Sequence, residues 1–219
     1  MYNLALITTV NEQETIAQIV AALLLQDLRV LVVDAGSTDG TVAMAESAGA
    51  LVLRFPRVPI RHAMLAGWEM ALEDDAIGNV VQLDAGASHD PSDATRLLMP
   101  IFANGYDVMV GSRFITGSMY LGRPVRREMS RLAALACRLK SGAHLTDWTS
   151  GYRAFSRDAL EELVGQRYRA SMHGWQIEVL HHALHLGLHI GETAITYRAG
   201  RSSMNGRIAL EAINTWRLL

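Results

Sequence analysis

Cysteine is nearly absent from this 219-residue sequence: Cys137 stands alone. It cannot form an internal disulfide, and a reducing, cytoplasmic compartment is the natural reading. Its setting, LAALACRL, reads as helix core rather than as a reactive thiol. An excess of one charge is missing too, since 20 Lys and Arg face 22 Asp and Glu for a formal net charge of −2. Nucleic-acid binding through bulk charge therefore has no support. Long apolar runs are also lacking. The longest, Ile19–Leu25, lies between Gln18 and Gln26 and falls well short of the roughly 20 residues that cross a bilayer. No signal peptide is legible, because strand-like residues begin almost at Met1. Nor does GxGxxG follow the first strand or GxxxxGK[ST] occur anywhere, which disfavours a dinucleotide fold and a P-loop kinase. There is no internal repeat and no low-complexity segment.

What is present is material for a core. Half of the residues are hydrophobic and 19% are charged, enough for one α/β domain that is soluble or peripheral to a membrane. Strand and helix patterns alternate along the first half. Leu4–Thr8 predicts a buried strand, and Ile16, Ile19, Val20, Leu23 and Leu24 repeat at helical spacing. Val30–Val33 predicts a strand, Thr41–Ser47 a helix ending at Gly49, and Leu51–Leu53 a third strand. A helix follows over about Ile60–Asp74. Strand Val80–Asp84, a helix over about Ser92–Asn104 and strand Tyr106–Gly111 continue the order. This alternation predicts a mainly parallel, doubly wound sheet flanked by helices. Beyond Arg113 the rhythm breaks. Ile115–Arg126 reads as a loop, Arg127–Lys140 as a helix and Thr146–Arg153 as a polar cluster between helices. His173–Leu186 reads as a helix, Ile190–Tyr197 as a strand and Ala199–Asn205 as a basic loop. Ile208, Ala212, Ile213 and Trp216 mark one face of a terminal helix.

Two stretches share one design. RVLVVDAGSTDGT at Arg29–Thr41 and NVVQLDAGASHDP at Asn79–Pro91 each end a strand on an aspartate followed by small residues and a second aspartate. Acids at the carboxyl ends of neighbouring strands stand where open α/β sheets hold ligands. A nucleotide is a candidate: Asp34 and Asp39 suit its base and ribose, and Asp84 suits a divalent ion held against phosphate oxygens. Among the arginines of the second half, Arg113, Arg153 and Arg201 sit beside glycine and serine, where a guanidinium fork can meet an anion. His181 and His185 share a helix face, but a zinc site needs a third protein ligand and none is evident nearby.

Six segments in order resemble the family-2 glycosyltransferases of the GT-A fold, and within them the polyprenol-phosphate (dolichol-phosphate) mannose and glucose synthases. They are TTVNEQETI at Thr8–Ile16, VVDAGSTDGT at Val32–Thr41, LDAGASHDP at Leu83–Pro91, VGSRF at Val110–Phe114, TDWTSGYRAFSRDAL at Thr146–Leu160 and WQIEVLHHALHLG at Trp175–Gly187. The resemblance covers nearly the whole chain and implies one GT-A domain over 1–219. Residues 1–113 would form a nucleotide-binding half and 114–219 an acceptor-binding half. It implies that Glu12 and Asp34 line the nucleoside pocket and that Asp84 opens the metal-binding DXD motif. Arg113 and Arg201 would contact phosphates of donor or lipid acceptor, and Asp147, Gln176 and Glu178 would face the reacting sugar. The reaction implied moves a hexose from a GDP- or UDP-sugar to a polyprenyl phosphate, with inversion at the sugar carbon.

The chain departs from that pattern in places. Asp34-Ala35 stands for two adjacent acids, and Thr8-Thr9-Val10 for the proline-x-tyrosine lead-in. Asp-x-Asp-x-Gln has become Asp84-Ala85-Gly86-Ala87-Ser88, leaving one carboxylate and one hydroxyl, Asp84 and Ser88, for Mg²⁺ or Mn²⁺. Arg57, Arg61 and His62 replace the basic glycine-rich loop near the diphosphate. A lipid phosphate is already anionic, so leaving-group stabilisation by metal and arginines would carry the chemistry. A sugar hydroxyl would instead need a base, for which Asp147 is the first candidate. A plainer role for Asp147 is a cap or an ion pair near Arg153. Arg207, Trp216, Arg217 and the terminal leucines suit either a lipid surface or packing on the domain. Three readings follow: a transferase to polyprenyl phosphate at the cytoplasmic face of a membrane, one to a soluble or polysaccharide acceptor, and a non-catalytic sugar-nucleotide binder.

Overall fold

The computed structural model describes residues 1–122, 124–170 and 174–198, except the side chain of Arg126. Nine strands are described: β1 (Tyr2–Thr9), β2 (Arg29–Asp34), β3 (Leu51–Arg54), β4 (Ile77–Asp84), β5 (Val108–Ser112), β6 (Met119–Leu121), β7 (Arg153–Ser156), β8 (Ile190–Ala194) and β9 (Thr196–Arg198). The helices are α1 (Ile16–Leu24), α2 (Thr41–Ser47), α3 (Ile60–Leu72), α4 (Ala94–Asn104), α5 (Pro124–Ser141), α6 (Arg157–Val164) and α7 (Trp175–His185). Seven strands form one sheet in the order β3-β2-β1-β4-β7-β5-β8, and β6 pairs with β9 in a small second sheet. Every neighbour in the large sheet is parallel except β7, which runs antiparallel to both β4 and β5.

Strands β1, β2, β4 and β5 are buried on both faces, which is why they read as continuous apolar runs. Along β1, Leu4 and Leu6 enter a core with Trp68, Phe155 and Trp175. Ala5 and Ile7, one residue out of phase, enter the opposite core with Ile16, Val20 and Leu97. Helix α1 buries Ile16, Ile19, Val20 and Leu23 on the second face. On the first face α3 sits tight on β1, for a Cβ at Gly67 would lie 2.6 Å from Leu6 Cδ1.

The second half holds the surprises. The expected polar cluster ending at Arg153 instead delivers β7 into the middle of the sheet. Arg153 and Phe155 point to one face and Ala154 to the other, all fully buried. A cationic residue opening a four-residue strand hides it from any hydropathy reading. Ser156 then caps α6 by accepting a hydrogen bond from Ala159 N at 3.1 Å. The single strand expected over Ile190–Tyr197 breaks at Ile195, so β8 completes the large sheet while β9 leaves it to pair with β6. Part of the expected loop at Ile115–Arg126 is that β6 partner and the start of α5. The seven-stranded sheet therefore draws strands from both sides of residue 113. Ala199–Asn205 and the terminal helix lie outside the described residues.

Candidate active site

The carboxyl edge of the sheet brings the two aspartate stretches together. Thr9 of β1 is in register with Asp34, and Thr8 with Asp84. The two acids therefore flank one strand, on opposite faces, because successive residues of β1 point oppositely.

Asp84 is open: 44% of its side chain is exposed. Its own N–H donates to His89 Nδ1 at 3.4 Å. His89 is buried against the rings of Tyr152 and Tyr197, with centroids 5.0 and 5.7 Å away. Burial pushes its pKa down, so the ring is neutral and can accept from that N–H. Beyond Asp84 the loop turns through Ala87, whose φ of +53° is left-handed. Ser88 is partly buried and its carbonyl accepts from Arg198 N at 2.8 Å. A Cβ added to Gly151 would lie 3.6 Å from each Asp84 oxygen and 3.3 Å from Gln176 Nε2. Asp84 and Gln176 thus share one point above Gly151.

Asp34 is closed. It is 2% exposed, and its Oδ2 accepts from Ser37 N at 3.0 Å and Gly36 N at 3.2 Å. Gly36 has φ +93°, and a Cβ there would meet Arg57 N at 2.8 Å, so only glycine fits this turn. The loop is then zipped to residues 11–13. Asn11 Oδ1 accepts from Thr38 N at 2.8 Å, Gln13 Oε1 from Gly40 N at 2.9 Å, and Glu12 N donates to Thr41 Oγ1 at 2.8 Å. Asp39 accepts from the N–H and hydroxyl of Thr41 at the start of α2, which holds its carboxyl below the ordinary range. Glu12 is half-buried and its carboxylate leans over Gly86, with Oε1 3.2 Å from where a Cβ would stand. Burial raises its pKa, and the charges of Asp39 and Asp84 add to that.

Arg113 and Asp147 meet, but inside the protein. Arg113 Nε and Nη2 each donate to an Asp147 oxygen at 2.7 Å, and Arg113 N adds a third bond at 3.1 Å. Thr149 N and Ser150 N also donate to Asp147, at 3.2 and 3.1 Å. Burial alone would raise the Asp147 pKa, but Arg113 and these N–H donors hold it below the usual range. The plainer role expected for Asp147 is thus nearest, with Arg113 in place of Arg153 as partner. Glu192 supports the turn from below, accepting from Thr146 N, Thr146 Oγ1 and Asp147 N at 2.8, 2.8 and 2.9 Å.

The structure places two arginines and one glutamate expected at ligands in contacts within the protein instead. Arg153 is not in a loop facing an anion; it opens β7 and is fully buried, with Nη2 donating to Trp148 O at 3.2 Å. Burial lowers its pKa to about 9. Arg61 Nη1 donates to the carbonyls of Tyr168 and Ala170 at 2.8 and 3.2 Å. Glu178 Oε2 accepts from Arg169 N and Ala170 N at 2.9 and 3.0 Å, so both side chains hold the same short segment rather than a ligand. The rings of His181 and His185 lie 4.1 Å apart, tilted by 56°, and no three His, Cys, Asp or Glu among the described residues converge on a metal position. Arg201 lies outside the described residues. The sequence reading missed His89, Tyr197 and Glu192 as organisers of the rim.

The chain has recognisable relatives. The sequence model of the family described as Glycosyl transferase family 2 matches residues 5–164. The chain belongs to glycosyl transferase family 2. It is 33% identical to the polyprenol monophosphomannose synthase of Mycolicibacterium smegmatis, over 96% of this chain and 83% of that protein. It is 32% identical to the undecaprenyl-phosphate mannosyltransferase of Micrococcus luteus, over 96% of this chain and 90% of that one. Among solved structures, glucosyl-3-phosphoglycerate synthase from Mycobacterium tuberculosis in complex with phosphoglyceric acid superposes with a TM-score of 0.74. That match is 24% identical and covers 98% of this chain and 78% of the other. The same synthase with Mn²⁺, uridine diphosphate and glucosyl-3-phosphoglycerate gives 0.73 at 22% identity, covering 98% and 77%. These likenesses show the GT-A fold of this family-2 chain.

Proposed function

We propose that this family-2 chain is an inverting transferase that moves a hexose from a GDP- or UDP-sugar to a polyprenyl phosphate at the cytoplasmic face of a membrane. The observation that carries the acceptor class is the state of Asp147. A sugar hydroxyl must lose a proton as it attacks, and the acid first in line to take it is fully buried, ion-paired with Arg113 and held ionised. A phosphate monoester arrives without that need. Its oxygen forms the new bond to the sugar carbon from one face as the bond to the nucleoside diphosphate breaks on the other. The names of the two mannosyltransferases above support the same acceptor.

A divalent cation, when bound, would neutralise the leaving diphosphate. The fit is tested by the two glycine hollows: at Gly151 the Asp84 oxygens, and at Gly86 the Glu12 carboxylate, stand where side chains would otherwise fill the rim. Asp84 would hold such an ion, with Ser88 on the same loop. Asp34 and Asp39 shape the nucleoside side by fixing the loop of residues 34–41.

The surface beside the site suits a lipid substrate. On β6 and α5, Met119, Leu121, Val125, Met129, Leu132, Leu135 and Leu139 are exposed. Arg127, Arg131, Arg138 and Lys140 are exposed on the same helix, which is tied to the core through Ala134 and Cys137. An apolar stripe with basic neighbours is the pattern of a helix lying in a bilayer interface. No helix among the described residues is long and apolar enough to cross a membrane.

The test offers radiolabelled GDP-mannose and UDP-glucose with Mg²⁺ to a bacterial lipid extract and, separately, to free sugars. Label that moves into the organic phase and is released by mild acid supports the reading. Label on free sugars only overturns the acceptor, and nucleotide binding without transfer to either favours the non-catalytic reading that Gly86 suggests.

A further inference from the structure

The loop after β4 lacks a carboxylate at position 86, yet a carboxylate stands there. Glu12 Oε1 lies 3.2 Å from the point that a Gly86 Cβ would occupy, and its carboxyl carbon 3.8 Å from it. The Glu12 side chain comes from the β1–α1 loop, which Thr15 ties to the same segment by donating to Ala85 O at 2.7 Å. Two residues back along the loop, Asp84 presents the other open carboxylate. Among the described residues neither Glu12 nor Asp84 is ion-paired with a lysine or arginine. Burial first, and then the charges of Asp39 and Asp84, raise the pKa of Glu12.

Acids gathered at a rim do not by themselves make a site, and a second set of atoms points the same way. Thr8 Oγ1 and Gln176 Oε1 are buried without any hydrogen-bond partner, in residues that are each only 7% exposed. Thr8 is the register partner of Asp84, so its side chain stands beside that carboxylate on the same face of the sheet. The other end of the Gln176 amide, Nε2, and both Asp84 oxygens lie 3.3 and 3.6 Å from the point that a Gly151 Cβ would occupy. Buried polar atoms left open beside uncompensated charge are the sign of a ligand position.

We propose that Glu12 supplies, together with Asp84, the second carboxylate of a divalent-cation site, standing in for the side chain absent at position 86. Two carboxylates with diphosphate oxygens and water suffice for Mg²⁺ or Mn²⁺, which bind protein sparingly and substrate phosphates heavily. This role moves Glu12 from the nucleoside pocket to the cation, and it rests on the nucleoside-diphosphate donor proposed above.

The probe is Mn²⁺, counted as free ion by electron paramagnetic resonance, with and without GDP or UDP. Wild type is compared with Glu12→Gln, Gly86→Asp and the Glu12→Gln/Gly86→Asp double variant, each verified as folded by thermal melting. Glu12→Gln should weaken Mn²⁺ binding to the nucleotide complex roughly tenfold or more, while metal-free nucleotide binding stays at the wild-type level. The double variant should regain most of that loss, because Gly86→Asp returns a negative charge next to the place where Glu12→Gln removed one. Unchanged Mn²⁺ binding in Glu12→Gln overturns the proposal, as does an equal loss of nucleotide affinity with and without metal. A double variant no better than Glu12→Gln overturns the equivalence of the two positions. If wild type binds neither nucleotide nor Mn²⁺, the donor reading fails along with it; if wild type binds both and Glu12→Gln is unaffected, only the role of Glu12 fails.

Discussion

Asp34 and Asp84 begin the same tripeptide, Asp-Ala-Gly, at the ends of strands on either side of β1, and the fold uses them in opposite ways. Asp34 is buried and spends its carboxylate on two N–H groups of its own turn. Asp84 is half-exposed, and among the described residues no backbone N–H turns back to its oxygens. The difference lies in the path of the chain beyond each glycine. After Gly36 the chain folds back onto its own acid, while after Gly86 it runs outward through Ala87 to His89, which instead binds the backbone of Asp84. An acid at a strand end is therefore a hinge of architecture or an open ligand according to where the next three N–H groups point.

That contrast extends to a third aspartate, the fully enclosed Asp147. Asp147→Ala leaves Arg113 buried and unpaired, and should cost about 3–5 kcal/mol of stability, read by urea unfolding. Asp84→Asn should do the reverse. Transfer should fall by about 100-fold, or ~2.7 kcal/mol, while stability shifts by less than about 0.5 kcal/mol. A large loss of stability in Asp84→Asn would erase the distinction between the two aspartates. Asp34→Ala removes a turn cap and should cost about 1–2 kcal/mol, with nucleotide affinity falling because the loop that carries Asp39 and Thr41 loosens. The smallest effect sharpens the open side. The Glu12 pKa is raised in the folded protein, by burial first and then by Asp39 and Asp84. Ionising it therefore costs stability as pH climbs from the ordinary glutamate range through the raised value. Mn²⁺ with nucleotide should return that stability, so the metal-induced rise in melting temperature should grow with pH across this window. In Glu12→Gln the growth should flatten.

Much of the first half was legible from residues alone. Strand–helix alternation, the two aspartate stretches and the placement of Thr8 and Thr9 before a loop all follow from periodicity and turn chemistry, and the sheet carries them as expected. The second half was less legible because its elements are defined by pairing at a distance. Nothing local marks Arg153–Ser156 as a central strand, since its warrant is the ladder to Val80 and Val108 on either side. The same holds for the rim. Arg113 and Asp147 were both named from sequence, but their mutual pairing depends on Glu192 fixing the turn from a strand that lies 45 residues on. Arg61 and Glu178 were named as ligand contacts from the family resemblance; the structure binds both to carbonyls and N–H groups of one segment.

The antiparallel insertion of β7 also bears on how the chain is made. Gln82 and the Gly151 carbonyl it reaches are 69 residues apart, so the edge of β4 emerges from the ribosome well before its neighbour. At about 5–20 residues per second that edge waits for several seconds, its hydrogen-bonding groups bare to any passing strand. Truncation before residue 156 should leave that edge unpaired and yield insoluble product rather than a smaller folded unit.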